Sequence, residues 1–138
     1  MKSLANLKKI KGDASFREFY RNRENKSIIV ISKKEKLKNL LIYDAINKIL
    51  IKNKILAPNL ISENYINNYI EINDFGDQTL FQILKNKKNN KYVIFKKIIK
   101  ILNKIQLIKD KKVKNFKNKL YKVKEYNNKI LFDETILF

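Results

Sequence analysis

The sequence of 138 residues contains no cysteine and no histidine, only two glycines and one proline, and 13 acidic residues against 32 basic ones. Without cysteine, structural disulfides and thiolate metal sites are excluded. Without histidine, imidazole ligands and the commonest general base of enzymes are excluded. No apolar run approaches membrane-spanning length, and the N-terminal Met1-Lys-Ser-Leu-Ala-Asn-Leu-Lys-Lys9 lacks the apolar stretch of an export signal. These absences point to a cytoplasmic chain with no membrane partner. The length suits one ordinary domain or part of a larger one, and the 44% apolar share is enough for a core.

What is abundant is lysine. A net charge of +19 suggests nucleic acid or an anionic membrane as partner. Yet lysine, asparagine and isoleucine rise together while arginine is scarce, the bias that A/T-rich codons impose on any solvated surface. The basic residues run along the whole chain and form no single tract. A biased surface is therefore favoured over a nucleic-acid patch. The rival, a small basic nucleic-acid-binding protein, has Phe16, Phe19 and Tyr20 beside arginines and would bind single strands with a steep salt dependence.

The chain is organised around residues 69–80. An apolar run (Tyr69, Ile70, Ile72) stops at Asn73-Asp74-Phe75-Gly76-Asp77, and apolar residues return at helical spacing with Leu80, Ile83 and Leu84. That pattern predicts a buried strand, a tight break and a helix capped by Asp77 or Thr79. Upstream, strands are expected over residues 4–10, 16–21 and Ser27–Ser32, with a polar link over 21–26. A helix is expected over about 34–52, then a weak strand over Leu60–Asn64 and a stronger one over 65–73. Downstream, short helix 79–85 and polar linker 85–91 precede the clearest helix, whose stripe is Ile94, Ile98, Ile101, Ile105 and Ile108. Core packing is the expected use of that stripe. Residues 110–126 are read as helix or as loosely held, and 130–138 as a further apolar segment whose abrupt end suggests a truncated reading frame.

Three places hold candidate chemistry. Gly12, Asp13, Ala14 and Ser15 lie between two strands; backbone N–H groups of such a turn, with the Ser15 hydroxyl, suit a phosphate, although most Gly-Asp turns are only turns. Arg17 and Arg21 follow, either as phosphate partners or as solvent-facing strand residues. Asn73, Asp74 and Phe75 offer backbone groups to a flat base, or form a plain strand-to-helix turn.

The string Gly12-Asp13-Ala14-Ser15-Phe16-Arg17-Glu18-Phe19-Tyr20-Arg21 resembles the opening signature of a branch of the aminoglycoside phosphotransferase-like kinases, closest to the bacterial N-acetylmuramate/N-acetylglucosamine anomeric kinases of cell-wall recycling. Residues 70–80 resemble that family's strand-to-hinge segment, which commonly has an acidic residue where Asn73 stands. Ala57-Pro58, Ile105-Gln106 and residues 126–138 resemble further collinear pieces. The resemblance implies an α+β fold: a protein-kinase-like N-lobe, with an antiparallel five-stranded sheet and one helix, followed by the first helices of a C-lobe. It divides the chain into a nucleotide-binding lobe (1–73), a hinge (74–77) and the start of a helical lobe (78–138). It implies ATP and Mg²⁺, an amino-sugar acceptor phosphorylated on an alcohol group, and a missing C-terminal lobe as partner. The implied nucleotide-binding residues are Gly12, Asp13, Ala14, Ser15, Arg17, Lys33, Asn73, Asp74 and Phe75. Lys33 or Lys34 stands nearest to the phosphate-anchoring lysine, and Glu35 or Asp44 to its acidic partner.

The departures are as informative. The family's His-Gly-Asp-type catalytic loop and its magnesium-binding aspartate fall beyond the last matched piece, and a chain without histidine cannot hold that loop in its usual form. Asp133 and Glu134 lie in the pre-catalytic piece. No catalytic and no metal-ligating residue is therefore assigned, and no turnover is expected from this chain alone. A non-catalytic kinase-like adaptor is the second rival.

Overall fold

The computed structural model describes residues 7–10, 16–86, 88–125 and 127–136; Gly12, Asp13, Ala14 and Ser15 lie outside them. Strands β1 (Leu7–Ile10), β2 (Arg17–Asn22) and β3 (Ser27–Ser32) form an antiparallel meander. Helix α1 (Lys38–Lys52) follows, and β4 (Leu60–Asn64) and β5 (Tyr69–Asn73) return as a hairpin. The five strands order as β1-β2-β3-β5-β4, so β5 inserts beside β3. The fold is α+β with the five-stranded antiparallel sheet that was expected.

The β-branched run Ile28 to Ile31 explains why β3 is central, because such side chains pack well on a pleated surface covered on both sides. Register then builds one face of the core: Phe19 lies opposite Val30, Ile10 opposite Phe19, Val30 opposite Ile70 and Ile28 opposite Ile72. Leu40 of α1 sits on Ile28, Val30, Ile70 and Ile72, with Leu37, Tyr43 and Phe19 around the rim. Each fully buried aliphatic side chain here contributes about 1.5–3 kcal/mol.

Three boundaries differ from expectation. Phe16 is exposed and the strand starts at Arg17, reaching Asn22. The helix predicted over 34–52 opens with a separate 3-10 turn, Lys34–Lys36, where the Ser32 hydroxyl donates to the Lys36 carbonyl (3.0 Å). The strand predicted from residue 65 begins only at Tyr69. Asn64 Oδ1 accepts from both the N–H and the side-chain amide of Asn67, and Asn68 is left-handed at φ 64°. Asparagine side chains offer the backbone these local partners, and the turn wins over the ladder.

Beyond β5 the chain turns at Gly76 (φ 85°) into α2 (Leu80–Lys85). Thr79, not Asp77, caps it: its hydroxyl accepts from the Gln82 N–H while the Gln82 side chain accepts from the Thr79 N–H. Helix α3 (Lys91–Gln106) forms where the isoleucine stripe predicts, with Asn90 as cap. Its expected burial is only partial. No residue of α3 is buried; along the stripe Ile94, Ile98 and Ile108 are half-buried, and Ile101 and Ile105 are exposed.

The segment read as helix or loosely held over 110–126 is instead a hairpin, β6 (Lys112–Lys114) with β7 (Leu120–Lys122). Its tip packs against the first part of the chain. The Phe116 N–H donates to buried Asp44 (2.7 Å), Lys117 pairs with Glu63, and Phe116 meets Tyr65 edge to face. At its base Asp110 accepts from Lys52 and Asn53. The region after residue 78 is thus not all helical. Helix α4 (Asn128–Thr135) ends the described chain. No helix among the described residues is long and apolar enough to cross a membrane.

Candidate functional site

Strand alternation decides what β2 presents to each side. Phe19 packs into the core with Tyr43 of α1 (ring centroids 6.3 Å apart), so Arg17 and Arg21, two residues to either side, share the α1 face. The Arg17 guanidinium lies 4.9 Å from the Tyr43 ring centre, an attractive position for a cation. Ile10 and Phe19 are paired, so β1 ends beside the start of β2, where Arg17 stands. Arg21 stands at the other end of the strand.

Arg21 is not a solvent-facing residue. Its side chain is 14% exposed, and its guanidinium is spent on the break after β5. Nε donates to one oxygen of Asp74 (2.5 Å), and Nη2 donates to the other (3.0 Å) and to the Gly76 carbonyl (3.0 Å). Nη1 donates to Asp77. Asp74 also accepts from the Gly76 N–H at 2.8 Å. One planar fork therefore holds three of the four residues of the break, Asp74, Gly76 and Asp77, and its pair with Asp74 is bidentate, the geometry in which arginine binds carboxylate best. The hydrogen bonds from Arg21 are the main cause that holds the Asp74 carboxyl below its ordinary range. Partial burial opposes them and the Gly76 N–H assists. The same pairs raise the Arg21 guanidinium further.

The sign of that shift gives a test. A carboxyl depressed by folding stabilises the protein above its ordinary value of 3.8 and loses that contribution as the pH falls through its lowered value. Asp74→Asn is expected to be less stable than the parent at neutral pH, with a gap that closes below about pH 4. Denaturant unfolding of both proteins across that range checks it, and a gap independent of pH would refute the pair's contribution.

Asn73 makes a reciprocal clasp. Its N–H donates to the Asn59 carbonyl (3.2 Å), and its side-chain oxygen accepts from the Asn59 N–H (3.0 Å). The backbone N–H and C=O of Asp74, and those of Phe75, have no hydrogen-bond partner among the described residues, and the Phe75 side chain is exposed. Of the expected base-facing trio, Asp74 and Phe75 keep their backbone groups available while the Asn73 N–H is used.

Lys33 is exposed at the end of β3, and its charge adds a small share to the lowering of the Glu18 carboxyl, which Lys9 and the Tyr20 hydroxyl dominate. Glu18 belongs to the sheet face away from α1. Glu35 is exposed in the 3-10 turn, and Asp44 is taken by Lys48 and the Phe116 N–H. No ion pair joins Lys33 or Lys34 to Glu35 or Asp44 among the described residues. On the outer face Glu71 is buried and accepts from the hydroxyls of Ser27 (2.6 Å) and Ser62 (3.0 Å). A hollow of about 530 Å³ opens between α1 and residues 105–125, with Ile49, Ile105 and Val123 on its walls, and none of the candidate residues lines it.

Asp77 and Asn59 belong to the arrangement without having been singled out as site residues. Arg21 and Asp74 are 53 positions apart, so no local spacing announces their pairing. No protein-family model matches the chain, and no curated protein matches it significantly.

Proposed function

We propose that this chain is the nucleotide-binding part of an ATP-dependent phosphotransferase acting on a sugar alcohol group, with an amino sugar as acceptor. The observation that carries the reading is the arrangement along β2. β1, which precedes Gly12 to Ser15 in the sequence, ends beside one end of the strand, and the break, where the Asp74 and Phe75 backbone groups have no hydrogen-bond partner among the described residues, is tied to the other. A nucleotide reaching from one end of β2 to the other would have its phosphates at the first end, near Arg17, and its base at the second. Phosphoryl transfer depends on such positioning and on charge neutralisation more than on covalent chemistry by the protein.

Magnesium is part of that chemistry, and the described residues do not fit it. No three carboxylates among them converge, and the two that come together, Asp74 and Asp77, do so on Arg21, whose charge would oppose a cation. The reading gives this chain nucleotide binding and leaves the base and the metal ligands to a partner lobe.

The test is an NMR titration of the full chain. ATP is expected to shift the Asp74 and Phe75 amide resonances saturably, whereas inorganic tripolyphosphate leaves them in place. ATP that leaves both amides unmoved would overturn the proposal.

A further inference from the structure

We propose that Arg21 is a positioning residue for the base end of the nucleotide and takes no part in binding phosphate. The inference rests on the nucleotide reading above and assigns a role within it. Phosphate binding was the natural use of an arginine so soon after Ser15. The geometry commits four of its five N–H donors to the break and leaves one Nη1 hydrogen. Nε, Nη1 and Nη2 all donate to groups of the break, and 14% of the side chain is exposed. Arg17, on the same strand face, stands at the end where the connection from β1 arrives.

The break does not need Arg21 merely to turn. Asp74 closes the turn by itself through the Gly76 N–H, and Gly76 supplies the left-handed residue. What Arg21 adds is a tie from a different strand. It fixes where the Asp74 and Phe75 backbone stands relative to β2, whose other end carries Arg17. A base held by two backbone hydrogen bonds tolerates little displacement, because those bonds weaken steeply with angle and distance.

The charges support the same orientation. At this end one guanidinium sits between two carboxylates, so the group is net negative and repels a triphosphate. At the opposite end the Arg17 guanidinium stands where β2 begins, opposite Ser32 at the end of β3. A triphosphate in this field turns its phosphates away from Arg21.

The experiment compares ATP with tripolyphosphate, which carries the phosphates and no base, by titration calorimetry on the full chain. Arg21→Lys keeps the charge and the alkyl stem but cannot form the bidentate fork. It is expected to stay folded, to bind ATP about tenfold more weakly, the worth of about one hydrogen bond, and to bind tripolyphosphate as the parent does. Amide exchange at Gly76 should quicken in this variant. Equal loss for ATP and tripolyphosphate would make Arg21 a phosphate ligand or a purely structural residue and overturn the proposal. Unchanged ATP affinity in Arg21→Lys would overturn it as well. If the parent binds ATP no better than tripolyphosphate, the nucleotide reading itself fails, and this role fails with it.

Discussion

Replacing Leu40 with alanine is expected to destabilise the protein by about 2–5 kcal/mol. Leu40 is fully buried in the first turn of α1 and is among the largest side chains with no exposure at all. It touches the two central strands together, meeting Ile28 and Val30 from β3 and Ile70 and Ile72 from β5. Truncation removes the transfer free energy of the lost methyl groups and leaves a cavity between a helix and a hydrogen-bonded sheet, neither of which can collapse far. The loss is a large share of the roughly 5–15 kcal/mol that an ordinary domain has to spare. Urea unfolding followed by circular dichroism would measure it. A cost under about 1 kcal/mol would mean that α1 is not seated on the sheet as described. The consequence reaches the site, because β5 leads directly into the break that Arg21 holds, and a loosened β5 would carry Asp74 away from its partner.

The parts of the fold that were legible are those in which one segment determines its own outcome. Ile28 to Ile31 is apolar and β-branched on both faces, which a central strand requires. The steps of four and three from Ile94 to Ile105 can only line a helix. The parts that were not legible depend on partners far away in the chain or on short local competition. The hairpin of β6 and β7 has strands of three residues rich in lysine, too short for alternation to be seen. Its place is fixed by Asp44, Glu63 and Lys52, all from the sheet-and-helix part. Asn64 looks like an ordinary polar residue within a strand until its side-chain oxygen is seen accepting from the Asn67 N–H, with Asn68 left-handed beyond it. The same division holds at the candidate site. The break at residues 74–77 was visible from one glycine and the change of period. The tie from Arg21 was not, because a charged residue on a strand reads as solvent-facing unless its partner 53 positions away is known.

Asp44 provides the second large effect. Its carboxylate is buried and accepts from the Phe116 N–H (2.7 Å) and from Lys48 (2.9 Å). These two bonds are unequal. Lys48 is 39% exposed and can return to water, so its ion pair contributes about 0–1 kcal/mol. The Phe116 N–H is at the tip of the hairpin, against the sheet, and without Asp44 it would lose its acceptor in a half-buried place. Asp44→Ala is therefore expected to cost about 1–3 kcal/mol and to speed amide exchange across β6 and β7 while β3 and β5 stay protected. Asp44→Asn keeps an oxygen for the N–H and should cost clearly less. Thermal unfolding and hydrogen exchange of the two variants separate the contributions. Equal losses in both would assign the stabilisation to the charge pair, and an undisturbed hairpin in Asp44→Ala would show that Lys117 and Asp110 hold it alone. The expected pattern also bears on function. A carboxylate committed to the hairpin is not free to orient a phosphate-anchoring lysine, so Asp44→Asn should bind ATP as the parent does, whereas Arg21→Lys should not.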